Sequence, residues 1–392
     1  MKLLVLHSEL GVLRGGGENF SRNLFSAFVR RGHSVSAAFV ANHHGQYPLP
    51  LPEQIEAIPI KGWWNRNLGQ QTLTFVARQL SGSVALRSYW SRVQEAISWR
   101  LFRWHNRRFM RRIEDTFASR WSDYDAVYVH GDTLLASLAA MHLPTVLRLP
   151  GPVTLDLEPF LRKVHVVCAN GDALVRIRRF LGEHVRELPI GVDAELFKPG
   201  SSTVRSSLNW SAQHCVIGFV GRLAHIKGID ILTTAFRQCV AANSNLRLII
   251  VGRGEEESSV RIVLAKEIAK GLVHIERDVS HNALADWYRA MDLLVMPSRY
   301  ENFSNAILEG MACGVPFLAS EVGGNPSLAQ SEAGWLFSSG SAASLSECLE
   351  KIVNDKTELR VRSESGFRHV KSCYSWDASA KRLEDALSSY LE

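Results

Sequence analysis

Cysteine is sparse and without pattern in this chain. Cys168, Cys215, Cys239, Cys313, Cys348 and Cys373 are scattered with no C-x-x-C pair and no metal-ligand spacing. This excludes a zinc frame or a disulfide scaffold and reads as the reduced thiols of a cytosolic protein. A long apolar run is also lacking. Nothing approaches the roughly 20 apolar residues of a spanning helix, and the opening stretch Met1–His7 is too short for a signal peptide and reads as a first strand. No short repeat or low-complexity tract is present, which removes repeat arrays. What stands in excess is positive charge: +6 net over 392 residues, with pI near 9.0. An anionic partner follows, whether phosphate, a membrane surface or nucleic acid. With 46% hydrophobic and 21% charged residues the chain is globular, and its length suits two domains of roughly 100–200 residues.

Short strand-like runs alternate with helical stretches, the pattern of parallel sheets wound with helices. Strand-like runs fall at Leu3–His7, Ser34–Val40, Asp125–Val129, Thr145–Leu149 and Val164–Cys168, then at Val216–Val220, Leu246–Val251, Leu272–Ile275, Asp292–Met296 and Val315–Leu318. Helices are expected at Glu18–Arg31, Thr133–Met141, Asp172–Leu181, Ile229–Val240, Glu256–Ala269 and Ala283–Ala290. Phe197–Thr203 is rich in turn formers and separates two similar halves, so the hinge is placed there. The fold class expected is α/β, with two doubly wound, Rossmann-like domains. Such sheets bind ligands at the carboxyl ends of their strands, where the polar loops of this chain lie.

Those loops carry the candidate chemistry. Glu301 and Glu309 stand eight apart in Pro297–Gly310, bracketing a small-residue turn that enters a helix. With Ser304 as N-cap, the amides of Asn305, Ala306 and Ile307 form an anion site at a helix N-terminus. One carboxylate can accept sugar hydroxyls and the other ribose hydroxyls, although the spacing also occurs on ordinary surface helices. After Val216–Val220 comes Gly221–Gly228, in which Arg222 and Lys227 can clamp a diphosphate or simply be solvated. Gly252-Arg253-Gly254 lacks the spacing of a dinucleotide fingerprint and reads as a structural turn. The loop after the first strand holds Gly15-Gly16-Gly17-Glu18, where backbone can approach a ligand or merely turn. His130 ends a strand and can reach a sugar hydroxyl or a reaction-centre oxygen, or be structural. Asp123-Tyr-Asp125 spells D-x-D, but it lies at the start of a strand, opposite the binding end, and reads as a turn.

In this order and spacing the motifs resemble the retaining GT-B glycosyltransferases of glycosyltransferase family 4, over nearly the whole chain. Gly15–Glu18 matches the family's Gly-Gly-x-Glu loop, Leu188–Pro199 its interdomain signature, Gly221–Gly228 its diphosphate loop, and Pro297–Pro316 its Glu-x7-Glu segment; Val322–Pro326 and Tyr374-Ser375-Trp376 also fit. The resemblance implies residues 1–196 as an acceptor-side domain, 197–375 as the nucleotide-sugar domain, and 376–392 as a helix crossing back to the first across a cleft. It implies Arg222 and Lys227 on the leaving diphosphate and Glu309 on the ribose. Glu301 with Asn302, Phe303, Ser304 and Asn305 would hold donor sugar and phosphates, and Gly15 and Gly16 would bring amides to the donor. Arg277 and Val279 lie in the turn expected to contact the base, and His130 matches the family's histidine after the fourth strand. Arg222, Lys227, Glu301 and His130 are the implied catalytic group, with no metal and no cofactor beyond the nucleotide-diphosphate sugar. Fixed cations and helix amides would stabilise charge on the departing diphosphate.

Three departures from the family pattern stand out, the first two expected to alter loop packing and the third to reshape the acceptor or sugar pocket. Ile190 stands where the family commonly has Asn, Ser327 where it has Glu, and Pro150-Gly151, with Arg148 nearby, where a His-Gly often follows the strand. The expected reaction is hexose transfer to a glycan or lipid-linked acceptor in cell-surface polysaccharide or glycolipid synthesis. A GT-B epimerase or phosphorylase, a scaffold without catalysis and a non-catalytic basic binding protein are the alternatives. Nucleic acid is not expected as a partner, because the aromatics cluster in one helix rather than along a groove. That helix lies within an insertion at about 84–117, where Leu86, Trp90, Val93, Ile97, Leu101 and Trp104 recur at helical spacing among eight arginines. Either it lies on anionic lipid, placing a cytoplasmic protein on the inner face of the membrane, or it packs on its own domain with its arginines in water.

Overall fold

In the computed structural model, residues 1–11, 16–42, 45–61, 106–151 and 157–391 are described. The chain divides into two compact units. One comprises Met1–Cys168, Phe180–Arg186 and Ala380–Glu392; the other comprises Ala169–Arg179 and Glu187–Ser379.

The first unit is built on seven strands: β1 Lys2–Leu6, β2 Ser34–Ala41, β3 Ile55–Lys61, β4 Ala126–His130, β5 Thr145–Arg148, β6 Val166–Ala169 and β7 Val185–Glu187. Their order in the sheet is β3-β2-β1-β4-β5-β6-β7. The registered pairs from β3 through to β6 are all parallel. The inner strands β1, β2, β4 and β6 read as nearly unbroken apolar runs, as strands of a parallel sheet covered on both faces do. The helix Gly16–Arg30 buries Phe20, Leu24, Phe25 and Phe28 against it. A helix over 106–117 adds Phe109, Ile113 and Phe117 at four-residue spacing, all buried, while Arg107, Arg108 and Arg111 stay exposed. Over this described part of the basic insertion the apolar stripe is thus spent on the domain's own core; residues 84–105, including Trp90 and Trp104, lie outside the described residues.

The second unit holds β8 Cys215–Val220, β9 Leu246–Val251, β10 Val273–Glu276, β11 Leu293–Met296, β12 Phe317–Ser320 and β13 Gly334–Phe337. Their order is β10-β9-β8-β11-β12-β13, parallel throughout. Each sheet therefore runs outward from its first strand in both directions, and the order reverses between β1 and β4 and again between β8 and β11. Loops leaving the carboxyl ends on either side of such a reversal diverge and leave a crevice. The core of the second unit takes in Phe219, Leu232, Phe236, Ile249, Leu294 and Leu308. Val192 and Phe197, in the stretch around the expected hinge, are buried in this same core.

All six cysteines are unpaired. Among the described residues no helix is long and apolar enough to cross a membrane, and no group of three or more His, Cys, Asp or Glu side chains is placed to hold a metal.

Candidate functional site

In the second unit the loops after β8 and β11 are joined into one surface at the reversal point. The Arg299 amide donates to the Ile226 carbonyl at 2.8 Å. Its guanidinium forks onto both Asp230 oxygens at 2.7 Å and reaches the His225 carbonyl at 2.8 Å. This pairing holds the Asp230 carboxyl below the usual carboxylate range. Gly228 sits between the loops in the left-handed region, φ +68°, where a Cβ would collide with the Pro297 carbonyl. Only glycine meets both demands.

The result is an ion pair no sequence spacing announces. Lys227 Nζ lies 2.6 Å from Glu301 Oε2, both groups largely withdrawn from solvent. The Ser298 hydroxyl lies 3.5 Å from the same oxygen. Arg222, five residues before Lys227, is exposed, and its side chain has no hydrogen bond or ion pair among the described residues. The turn at Arg253 braces its loop: the Leu223 amide donates to the Arg253 carbonyl at 2.9 Å and the Glu256 amide to the Leu223 carbonyl at 2.9 Å.

One helix further on, Ser304 caps Asn305–Ala312, its hydroxyl accepting from the Ile307 amide at 3.3 Å. One turn in, Glu309 accepts the Tyr288 hydroxyl at 2.8 Å. Burial pushes the Glu309 carboxyl up to about 7, even though the Tyr288 hydrogen bond pulls it down. Tyr288 is fully buried, and its phenol is held well above the usual range by burial and by Glu309.

The remaining expected residues are placed differently. Asn302 turns to the start of the helix Gly171–Leu181: its carbonyl accepts the Asp172 and Gly324 amides at 3.3 and 3.0 Å, its side-chain oxygen accepts the Ala173 amide at 3.0 Å, and its amide reaches Asn170 at 3.3 Å. The Asn302 side chain thus caps a helix. Phe303 is buried and packs on Tyr374 at 5.7 Å between centroids. Asn305 is exposed. After β10, Arg277 pairs with Glu257 at 3.1 Å, Asp278 with Arg253 at 3.1 Å, and Val279 packs at the rim of the core.

In the first unit, Gly15 lies outside the described residues and Gly16 opens the helix Gly16–Arg30. His130 ends β4 and stacks on His7, which follows β1, with centroids 4.2 Å apart and planes 13° apart. The Tyr128 hydroxyl is 3.3 Å and the Ser21 hydroxyl 3.5 Å from His130 Nδ1, and Ser21 is 3.0 Å from His7 Nδ1. Glu18 lies 3.8 Å from His7 Nε2. Burial, then the Arg148 charge, pulls His7 down to about 3; burial, then His7 and Arg148, holds His130 well below its ordinary value. Both imidazoles are neutral at pH 7. With the Tyr128 hydroxyl donating to Nδ1, His130 offers Nε2–H towards Gly17, where a Cβ would stand 2.7 Å away. His7, Ser21, Tyr128 and Arg148 were not expected at a site. A histidine directly after the first strand was the available signal, and it is weak alone.

The architecture these elements define is that of solved GT-B glycosyltransferases. Anabaena Alr3699/HepE, crystallised in complex with UDP, superposes with TM-score 0.69 at 19% identity, covering 99% of this chain and 100% of that one. The sequence comparisons add the class of relative. Residues 214–355, which span β8 to β13, match the family model described as glycosyl transferases group 1. The chain is 30% identical over 242 residues to D-inositol 3-phosphate glycosyltransferase 1 of Catenulispora acidiphila, covering 59% of this chain and 58% of the relative. It is also 30% identical over 229 residues to a GDP-mannose-dependent monoacylated alpha-(1-6)-phosphatidylinositol monomannoside mannosyltransferase of Corynebacterium glutamicum, covering 55% and 60%. The matches span under two thirds of the length of these curated relatives. Its relatives are glycosyltransferases.

Proposed function

We propose that the chain transfers a hexose from a nucleotide-diphosphate sugar to a glycan or lipid-linked acceptor, with retention at the anomeric carbon and without a metal. The observation that carries this is the Lys227–Glu301 pair at the strand-order reversal, beside the unpaired Arg222 and one helix from the raised carboxyl of Glu309. A diphosphate leaving group gains negative charge as the sugar departs. Cations fixed in place before reaction stabilise that charge more in the transition state than in the ground state. Lys227, held on Glu301, meets the oxygen without reorganising; Arg222 is the fork available to the second phosphate. Glu309 as carboxylate accepts ribose hydroxyls, and Glu301 has a second oxygen to accept from the sugar. The departing phosphate oxygen takes the acceptor proton on the face it leaves. His130, neutral and a donor at Nε2, is assigned to a sugar hydroxyl. The base would be read largely by backbone around Arg277–Val279.

Names of relatives support the acceptor class: one acts on an inositol phosphate and one on a phosphatidylinositol mannoside. A groove of about 390 Å³ in the first unit suits a lipid-linked acceptor, since Met110, Leu138, Met141 and Phe160 line it beside Arg107, Arg111 and Lys163. We read the protein as peripheral on the cytoplasmic face of the membrane; cosedimentation with anionic vesicles at low salt is then expected and should fall with Arg107→Glu/Arg111→Glu. For the chemistry, Lys227→Ala or Arg222→Ala should lower turnover at least tenfold, about 1.4 kcal/mol or more in barrier, with the fold intact. Near-wild-type turnover in both variants removes the diphosphate role, and donor-only products in place of an acceptor glycoside would point to an epimerase or phosphorylase.

A further inference from the structure

Arg148 ends β5, level with His130 of β4 on one side and Cys168 of β6 on the other. Register partners in a parallel sheet project to the same face, so His130 and Arg148 stand side by side. Arg148 is only 4% exposed. One face of its guanidinium is covered by the Phe20 ring, 3.6 Å from the centroid. Among the described residues its guanidinium has no hydrogen bond and no ion pair.

Other arginines withdrawn from solvent in this protein are treated differently. Arg205 forks onto Asp292 and the Ala290 carbonyl, Arg289 onto the Lys198 and Leu196 carbonyls, and Arg362 onto Glu358 and the Gly334 carbonyl. A guanidinium presents five N–H donors in a plane. An aromatic face compensates the charge but accepts none of those hydrogens in the plane of the fork. No acid is paired with it among the described residues: His7 and His130 are neutral, and Glu18 lies 3.8 Å from His7 Nε2. A nearly buried fork with no protein acceptor, at the carboxyl edge of a sheet and next to the histidine assigned to substrate, is arranged to receive an anion.

We infer that Arg148, with His130 beside it, forms an anion subsite of the first unit that receives a phosphate or carboxylate group carried by the substrate. The substrate class rests on the transferase reading above; the subsite does not. An oxyanion would lie in the plane of the guanidinium with Phe20 beneath it, and His130 Nε2–H would supply a neutral second donor. An uncharged sugar alone would leave the fork unmet. The acceptor or the transferred sugar is therefore acidic.

The test uses the full chain and inorganic phosphate. In Arg222→Ala/Lys227→Ala, which removes the diphosphate cations, phosphate is expected still to raise the melting temperature saturably, beyond equal ionic strength of chloride. Adding Arg148→Gln is expected to weaken half-saturation at least tenfold, whereas Arg148→Lys keeps part of the effect. Removing an unpaired buried charge should not unfold the domain, and a far-ultraviolet spectrum without ligand checks this. Unchanged phosphate binding in Arg148→Gln, or none in the Arg222→Ala/Lys227→Ala background, overturns the subsite. Titrating wild type and Arg148→Gln with a polyol phosphate and with a nucleoside diphosphate uronate identifies the source. The compound whose half-saturation weakens tenfold bears the group, and equal affinities for both in the two proteins overturn the substrate assignment. Loss of the subsite with nucleotide-sugar turnover intact leaves the transferase reading standing; the reverse result leaves the subsite standing.

Discussion

At the scale of single residues, the informative feature is that burial moves the titration of Glu309 up and that of His130 down from their ordinary values. Glu309 is pushed up to about 7 by burial, yet the ribose role needs it ionised. Donor kcat/KM is therefore expected to rise with pH through about 7, and Glu309→Gln, which cannot ionise, is expected to flatten that limb while lowering affinity. A wild-type profile level between about pH 6 and 8 would sink the assignment. On the other sheet, the open space beside His130 depends on Gly17. A Cβ there stands 2.7 Å from His130 Nε2, closer than the ring can tolerate without moving. Gly17→Ala should cost about 1–3 kcal/mol, as overpacking does, and lower turnover at least tenfold by displacing the ring; a crystal structure of the variant with His130 unmoved and full activity would count against this role. Neither residue's environment could be read from the sequence. Glu309 was legible as a candidate by its distance from Glu301, but the Tyr288 partner lies 21 positions away. Arg148 was visible only as a departure beside Pro150-Gly151.

At the scale of elements, legibility followed the hydrophobic pattern. Strands such as Val216–Val220 and Leu246–Val251 are apolar runs bounded by turns, and they stand where the pattern put them. β3 escaped because Glu56 and Pro59 interrupt Ile55–Lys61, which an edge strand tolerates. β13 escaped because it is four residues long and starts on glycine. The helix Lys356–Cys373 escaped because its apolar stripe reduces to Leu359, Gly366 and Val370 as buried positions. The Lys227–Glu301 pair could not be seen either, since 74 residues separate the partners and only the strand order β8-β11 makes their loops neighbours. That juxtaposition rests on Gly228. Gly228→Ala must leave the left-handed region or drive a methyl into the Pro297 carbonyl, so a loss of roughly 2–4 kcal/mol is expected in urea unfolding, above backbone strain alone. Donor affinity should fall with it, because the Pro297–Glu301 loop moves. A variant as stable as wild type, with unchanged donor binding, would show the two loops to be independent.

At the scale of the whole molecule, the two units should respond unequally to acid. His7 and His130, both in the first unit, have folded values far below 6.5. Below about pH 6.5 the unfolded chain takes up protons that the native unit refuses, so stability is complete above that pH and is lost as pH falls. Each such histidine contributes about 1.4 kcal/mol per pH unit. Asp132, whose carboxyl burial raises, opposes them by at most one proton. At least one proton net remains. In the second unit Glu309 runs the other way: its folded value of about 7 lies above the unfolded 4.5, so protonation between those values stabilises the native form, offsetting the depressed His214 and His369. Lowering pH from 7.5 to 5 is thus expected to weaken the first unit by about 2 kcal/mol or more while leaving the second little changed. Hydrogen exchange should report it, with protection of β1 and β4 falling over that range and that of β8 and β11 holding. The difference should shrink in His7→Gln/His130→Gln, whose glutamines cannot take up a proton. Equal loss of protection in both sheets, undiminished in that double variant, would mean that the acid response comes from groups outside the stacked histidines.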